Sequence, residues 1–169
     1  MRGHDESAAP LGDASPFRFA VIVSRFNETV TGSLRDAALA ALKEAGAADG
    51  NVHLFSVPGA YEIPQAARAA AETGRFDAVV CLGCVIRGET PHFDYIASAV
   101  AHGITNAAGE TGVPMAFGVL TTDTLEQAAA RSGPGPDNKG REAAAAAIEM
   151  AALYKTLTGG SNRPFGFRA

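Results

Sequence analysis

The residue types that do chemistry collect in four short polar segments and one stiff loop. Arg87-Gly88-Glu89-Thr90-Pro91-His92 is the most informative segment. Gly88 allows a tight backbone reversal, and Thr90 is placed to cap a helix that follows. Free N–H groups at such a helix start form an anion site that suits phosphate. His92 stands at the mouth of the turn, where a neutral imidazole moves protons near neutral pH. A capping or solvated histidine is the plain alternative. Arg25-Phe26-Asn27-Glu28, Pro58-Gly59-Ala60-Tyr61-Glu62 and Thr121-Thr122-Asp123 add two aromatics, several polar groups and a glycine turn. Taken singly, Phe26 is a loop plug, Tyr61 a surface ring and Glu62 a charge at a helix start. The stiff Gly/Pro segment Arg131 to Gly140 holds an arginine, suited to fork onto phosphate, and Lys139. Read alone, it is equally an interhelical loop with solvated charges.

Other chemistries find no support. There is no GxGxxG after a strand and no Walker sequence. Cys81 and Cys84 match C-x-x-C, but a redox pair opens a helix and this one lies inside an apolar strand. Buried thiols are the better reading. No His, Cys and Asp cluster has metal-ligand spacing, so no metal is expected.

The elements that must position these segments follow from hydrophobic patterning. Phe19–Ser24, Val52–Val57, Ala78–Ile86 and Met115–Leu120 are short apolar runs that read as strands. Helical spacing or composition predicts helices over Val30–Ala45, Pro64–Thr73, Phe93–Glu110, Thr124–Arg131 and Asn138–Leu157. Strands alternating with helices imply a four-stranded parallel sheet covered on both faces, a three-layer α/β/α sandwich of flavodoxin-like type. Ligands in such sheets sit outside the carboxyl ends of the strands, where the polar segments fall.

Composition sets the outer bounds. The 169 residues suit one domain, expected over residues 17–157 with flexible tails at 1–16 and 158–169. Hydrophobic residues make up 47% of the chain, too many for a disordered protein. A net charge of −4 argues against a nucleic-acid partner. Two cysteines cannot form a disulfide framework. No apolar run is long enough to span a membrane, and the first residues lack a signal-peptide pattern, so a cytoplasmic location is expected.

Four ordered motifs carry a family resemblance. Ser24-Arg25-Phe26-Asn27, Val57-Pro58-Gly59-Ala60-Tyr61-Glu62-Ile63-Pro64, the run Leu82 to Tyr95, and Asn138-Lys139-Gly140 closely resemble 6,7-dimethyl-8-ribityllumazine synthase. The similarity runs from about Phe19 to Leu157. It implies condensation of 5-amino-6-(D-ribitylamino)uracil with 3,4-dihydroxy-2-butanone 4-phosphate, giving 6,7-dimethyl-8-ribityllumazine, phosphate and water without a cofactor. The resemblance also implies residue roles. Phe26 stacks on the pyrimidine with Asn27 beside it. Ala60, Tyr61 and Glu62 hold the ribityl chain, and the backbone of Val85 and Ile86 reads the pyrimidine edge. Glu89 and Thr90 belong to the phosphate turn, and His92 transfers protons. Phe117, Arg131 and Lys139 come from an adjacent subunit.

A shared site implies a homo-oligomer. The resemblance implies pentamers, twelve of which form an icosahedral shell in many members, with a possible association with riboflavin synthase. The Arg131–Gly140 loop resembles that of shell-forming members in length. Two readings of other classes stand beside the enzyme. A non-catalytic flavin- or lumazine-binding protein needs Phe26 and the ribityl contacts but not His92, Arg131 or Lys139. A structural shell protein needs none of them.

Overall fold

The four apolar runs become four parallel strands. A computed structural model describes residues 10–159. Strands β1 (Phe19–Ser24), β2 (Val52–Val57), β3 (Ala78–Ile86) and β4 (Met115–Thr122) form one sheet in the order β2-β1-β3-β4. Helices α1 (Glu28–Glu44), α2 (Ile63–Glu72), α3 (His92–Thr111), α4 (Leu125–Ser132) and α5 (Lys139–Leu157) complete a three-layer sandwich. The strands were legible because each is an apolar run bounded by polar or turn residues. β4 runs two residues beyond its expected end, so Thr121 and Thr122 belong to the strand.

Pleat alternation divides β1 between two cores. Phe19, Val21 and Val23 pack with Leu34 and Leu42 of α1 and Ile148 of α5. Ala20 and Ile22 pack with Ile63 of α2 and Val100 and Ile104 of α3. Cys81 and Cys84 follow the same rule. Cys81 belongs to the α2/α3 core and Cys84 to the α1/α5 core, so they lie on opposite faces of the sheet. Burial pushes the Cys81 thiol up to about 12 and the Cys84 thiol up to about 11. The redox reading of C-x-x-C is thereby excluded in favour of buried thiols.

Two expectations need correction. The sheet is not covered on both faces throughout. β2 is an edge strand, the helices sit over β1, β3 and β4, and His53 to Ser56 are exposed. The described part of the expected N-terminal tail, residues 10–16, packs on the body. Ala14 is fully buried and its N–H donates to the Ala45 carbonyl at 2.9 Å. Leu11 joins the α1/α5 core. Small residues and prolines gave this segment no periodic signal to read. Residues 1–9 and 160–169 of the expected tails lie outside the described residues.

The contact between α1 and α5 sets the position of the Gly/Pro loop. At Gly140 the two backbones meet, and a Cβ there would lie 2.0 Å from the Leu34 carbonyl oxygen. Asn138, 3% exposed, caps α5 by accepting the Gly140 N–H at 2.8 Å. Its amide donates to the Ser132 and Gly133 carbonyls, both at 2.9 Å. Farther along, Arg141 forks onto Glu44 at 2.7 and 3.1 Å. That hydrogen bond holds the Glu44 carboxyl below its ordinary value. The link is therefore present at neutral pH and is lost as acid titrates through the lowered value.

Gly140→Ala forces the helices apart, and the expected cost is about 3 kcal/mol, measured by chemical denaturation. In the native protein neither cysteine should react with a thiol reagent at neutral pH, whereas both react in denaturant.

A candidate active site at the carboxyl edge of the sheet

β3 outruns its neighbour. Its pairing with β1 ends at Val23 and Leu82, and four more residues, Gly83 to Ile86, continue beyond. On the β4 side the ladder continues to Ile86 and Thr122. The β1-facing backbone of this overhang therefore has no strand partner. The overhang lies between β1 and β3, where the chain's crossovers change direction and open sheets bind ligands. The half-buried Val85 and Ile86 are its last two residues.

The turn after β1 closes over this gap. Asn27 is the only non-glycine residue with positive φ among the described residues, at φ 62 and ψ 51. Its amide does not cap α1 but donates to the Cys84 carbonyl at 3.2 Å. One residue thus accepts a left-handed backbone and ties the turn to the overhang. The same turn is pinned to β2, with the Arg25 N–H on the Val57 carbonyl at 2.9 Å and the Phe26 N–H on Pro58 at 3.2 Å. Held at both ends, Phe26 presents its ring to solvent at 71% exposure.

Ala60, Tyr61 and Glu62 form one turn of 3-10 helix that leads into α2. This turn packs against α3. The Glu62 carboxylate accepts the Gly59 N–H at 3.0 Å, which orients it. Ala60 is buried and Tyr61 exposed. Ser24, the last residue of β1, holds the one buried side-chain polar atom without a hydrogen-bond partner among the described residues.

The turn after β3 differs from expectation in two respects. Thr90 does not cap α3. Pro91 occupies the cap position, and no side chain bonds the helix start. Proline there lacks a donor and has a fixed φ, so the helix begins at His92. Gly88 has no positive φ, and a Cβ on it would meet nothing within 4 Å. The reversal does not require glycine. α3 therefore begins without a side-chain cap, beside the exposed Glu89, Thr90 and His92, and in its first turn the Asp94 N–H donates to the Pro91 carbonyl at 3.1 Å.

A second group assembles elsewhere. Phe117 of β4, Arg131, Lys139 and Glu142 line a hollow of about 370 Å³ along β4 and α5. None of Phe26, Asn27, Tyr61, Glu62, Glu89, Thr90 or His92 takes part in it. Arg131 lies in the last turn of α4, in keeping with the helix expected over Thr124–Arg131, with Nη1 donating to the Gln127 carbonyl at 2.9 Å. Among the described residues no carboxylate pairs with it. Lys139 opens α5 and donates to both Glu142 oxygens, at 2.7 and 2.8 Å.

Sequence reasoning missed Arg87 as more than a turn residue. Its side chain reaches Asp123 at 2.8 Å and Asp94 at 3.3 Å and lies 4.3 Å over the Phe93 ring. The hydrogen bond it donates to Asp123 is the main reason its guanidinium is held more firmly protonated than usual.

Known proteins resemble the chain over most of its length. A family model described as 6,7-dimethyl-8-ribityllumazine synthase matches residues 16–155. The curated 6,7-dimethyl-8-ribityllumazine synthase of Syntrophus aciditrophicus (strain SB) is 50% identical over 144 residues, 85% of this chain and 94% of the relative.

Asn27→Ala loses the tether and keeps the strained backbone, and should lower stability by about 2 kcal/mol. Asn27→Gly relieves the strain and should lose less. Denaturation midpoints of the two variants separate the contributions, since equal losses would leave the whole effect with the tether.

Proposed function

The chain belongs to the 6,7-dimethyl-8-ribityllumazine synthase family, transferases of riboflavin biosynthesis, and we propose that its carboxyl edge is where the condensation occurs. The reaction joins 5-amino-6-(D-ribitylamino)uracil to 3,4-dihydroxy-2-butanone 4-phosphate. The β3 overhang carries this reading, because unpaired backbone beside an exposed aromatic suits a planar ring with polar edges. The pyrimidine stacks on Phe26, held by Asn27, and its edge meets the Val85 and Ile86 backbone. The ribityl chain follows Ala60 to Glu62, with the oriented Glu62 carboxylate accepting from its hydroxyls.

The phosphate of the second substrate sits at the Glu89–Thr90 turn and the start of α3, met by Arg131. Among the described residues Arg131 has no carboxylate to give up, and an exposed guanidinium is suited to fork onto phosphate. Lys139 supports that region, and Phe117 packs on the bound substrate. The amine attacks the ketone, and the resulting carbinolamine loses water to form an imine. Loss of a carbon-bound proton and departure of phosphate follow. Phosphate departure leaves an enol, which tautomerises to a new ketone, and the ribityl-bearing nitrogen closes the ring on that ketone with loss of water. His92, at the mouth of the turn and without a hydrogen-bond partner among the described residues, moves protons in these steps. Approximation supplies the larger part of the acceleration, up to roughly 7–11 kcal/mol in well-oriented reactions.

The separation of the two groups supports a site shared between subunits. The arrangement fits a homopentamer, with twelve pentamers in an icosahedral shell, a possible association with riboflavin synthase, and a cytoplasmic location. Among the described residues no helix is long and apolar enough to cross a membrane.

The test is a turnover assay with both substrates, following lumazine and phosphate together. Equal release above background is expected; bound lumazine without turnover would favour a binding protein instead. Arg131→Ala should raise the KM for the phosphate substrate about tenfold to a hundredfold. His92→Ala should lower kcat about a hundredfold or more without abolishing it. Neither chain alone is fully active. Reassembled from an equal mixture, the two variants should recover about a quarter of the wild-type sites. No recovery would place both groups in one chain's site.

A further inference from the structure

Arg87 connects the two phosphate-binding elements, although its side chain belongs to neither. The segment from Arg87 to Asp94 contains Glu89, Thr90 and His92. It is closed at one end by the backbone, where the Arg87 N–H donates to the Thr122 carbonyl at 2.9 Å. It is closed at the other by the Arg87 side chain, whose Nη1 reaches both Asp94 oxygens at 3.3 and 3.4 Å. Contact with the Phe93 ring holds the guanidinium plane against the first turn of α3. The turn is therefore a small closed ring, and among the described residues its only side-chain closure is Arg87.

The other arm of Arg87 leads toward Arg131. Its Nε donates to Asp123 at 2.8 Å. The Asp123 N–H donates to the Gln127 side-chain oxygen at 2.9 Å, and the Gln127 backbone carbonyl accepts from Arg131. The Thr124 hydroxyl accepts the Gln127 N–H at 3.2 Å and fixes that residue at the start of α4. An unbroken run of polar contacts thus joins the turn at the end of β3 to the guanidinium at the end of α4.

We propose that Arg87 is a positioning residue for phosphate recognition, setting the turn that holds His92 through Asp94 and the helix that presents Arg131 through Asp123. The proposal rests on the reading of these two elements as the phosphate-binding parts. A planar guanidinium serves two carboxylates in different directions and an aromatic face together, which an ammonium cannot do. Isolated exposed ion pairs contribute little to stability, so the consequence of losing Arg87 falls on geometry more than on folding.

The experiment uses the full chain in its native assembly, with inorganic phosphate as the probe, competing in the assay and titrated directly by calorimetry. Arg87→Gln should weaken inorganic phosphate and raise the KM for the phosphate substrate, each by about tenfold or more. The KM for the ribitylamino substrate should stay within about twofold of wild type. Arg87→Lys should restore only part of the loss. Asp94→Asn and Asp123→Asn each cut one arm and should each give a smaller loss in the same direction, keeping the test open if Arg87→Gln fails to fold. Arg68→Gln is the control for a merely structural effect. It removes a comparable exposed network with Glu72 and Glu110 at the opposite end of α3 from Asp94, and should leave phosphate binding unchanged. The proposal is overturned if the folded Arg87 and aspartate variants bind phosphate as wild type does, or if both KM values rise together. A wild-type protein that neither binds phosphate nor turns over would instead overturn the functional reading itself.

Discussion

The site depends on an unequal pairing of strands. β1 stops while β3 continues, so the middle of the sheet ends in a step rather than a line. Backbone that lacks a ladder partner costs free energy unless water, a side chain or a ligand satisfies it. Asn27 meets part of that demand through the Cys84 carbonyl and accepts a left-handed backbone to do so. Phe26 owes its exposed position to that tether, and the Val85–Ile86 backbone owes its availability to the step. The fold creates the need for a partner and the aromatic platform beside it in one stroke.

The motifs divide their labour residue by residue. In Asn138-Lys139-Gly140, the asparagine caps α5 and gathers the loop carbonyls, and the glycine lets α5 touch α1. Only the lysine projects into the hollow beside β4. In Arg87 to His92, the arginine closes the turn onto Asp94 and the proline sets the start of α3, and neither residue takes the imidazole of His92. In the proposed site each reactive group is thus held by neighbours whose work is mechanical, which is the narrow geometry that approximation requires.

Much of this was legible in the chain because it depends on local pattern. Val79 to Val85 could only be a buried strand, and the polar residues at its end could only emerge at the carboxyl edge. What was hidden depends on pairs distant in sequence. Arg87 finds Asp123 across 36 positions, and no spacing rule announces it. Asparagine at position 27 tolerates positive φ, but nothing in its type demands it. Thr90 misled because residue type alone named it the cap, while Pro91 beside it had already fixed where the helix begins. The packing of Ala14 against the end of α1 was hidden for a third reason, since a single small side chain leaves no periodic trace.

The uncovered strand β2 bears on how the chain is made as well as on what it becomes. Leu54 and Phe55 sit on an edge whose backbone has a partner on one side only. Such an edge is a template for any extended peptide that meets it. A newly synthesised copy is therefore vulnerable for as long as that edge stays bare. Crowded synthesis under those conditions favours tangled deposits over finished protein.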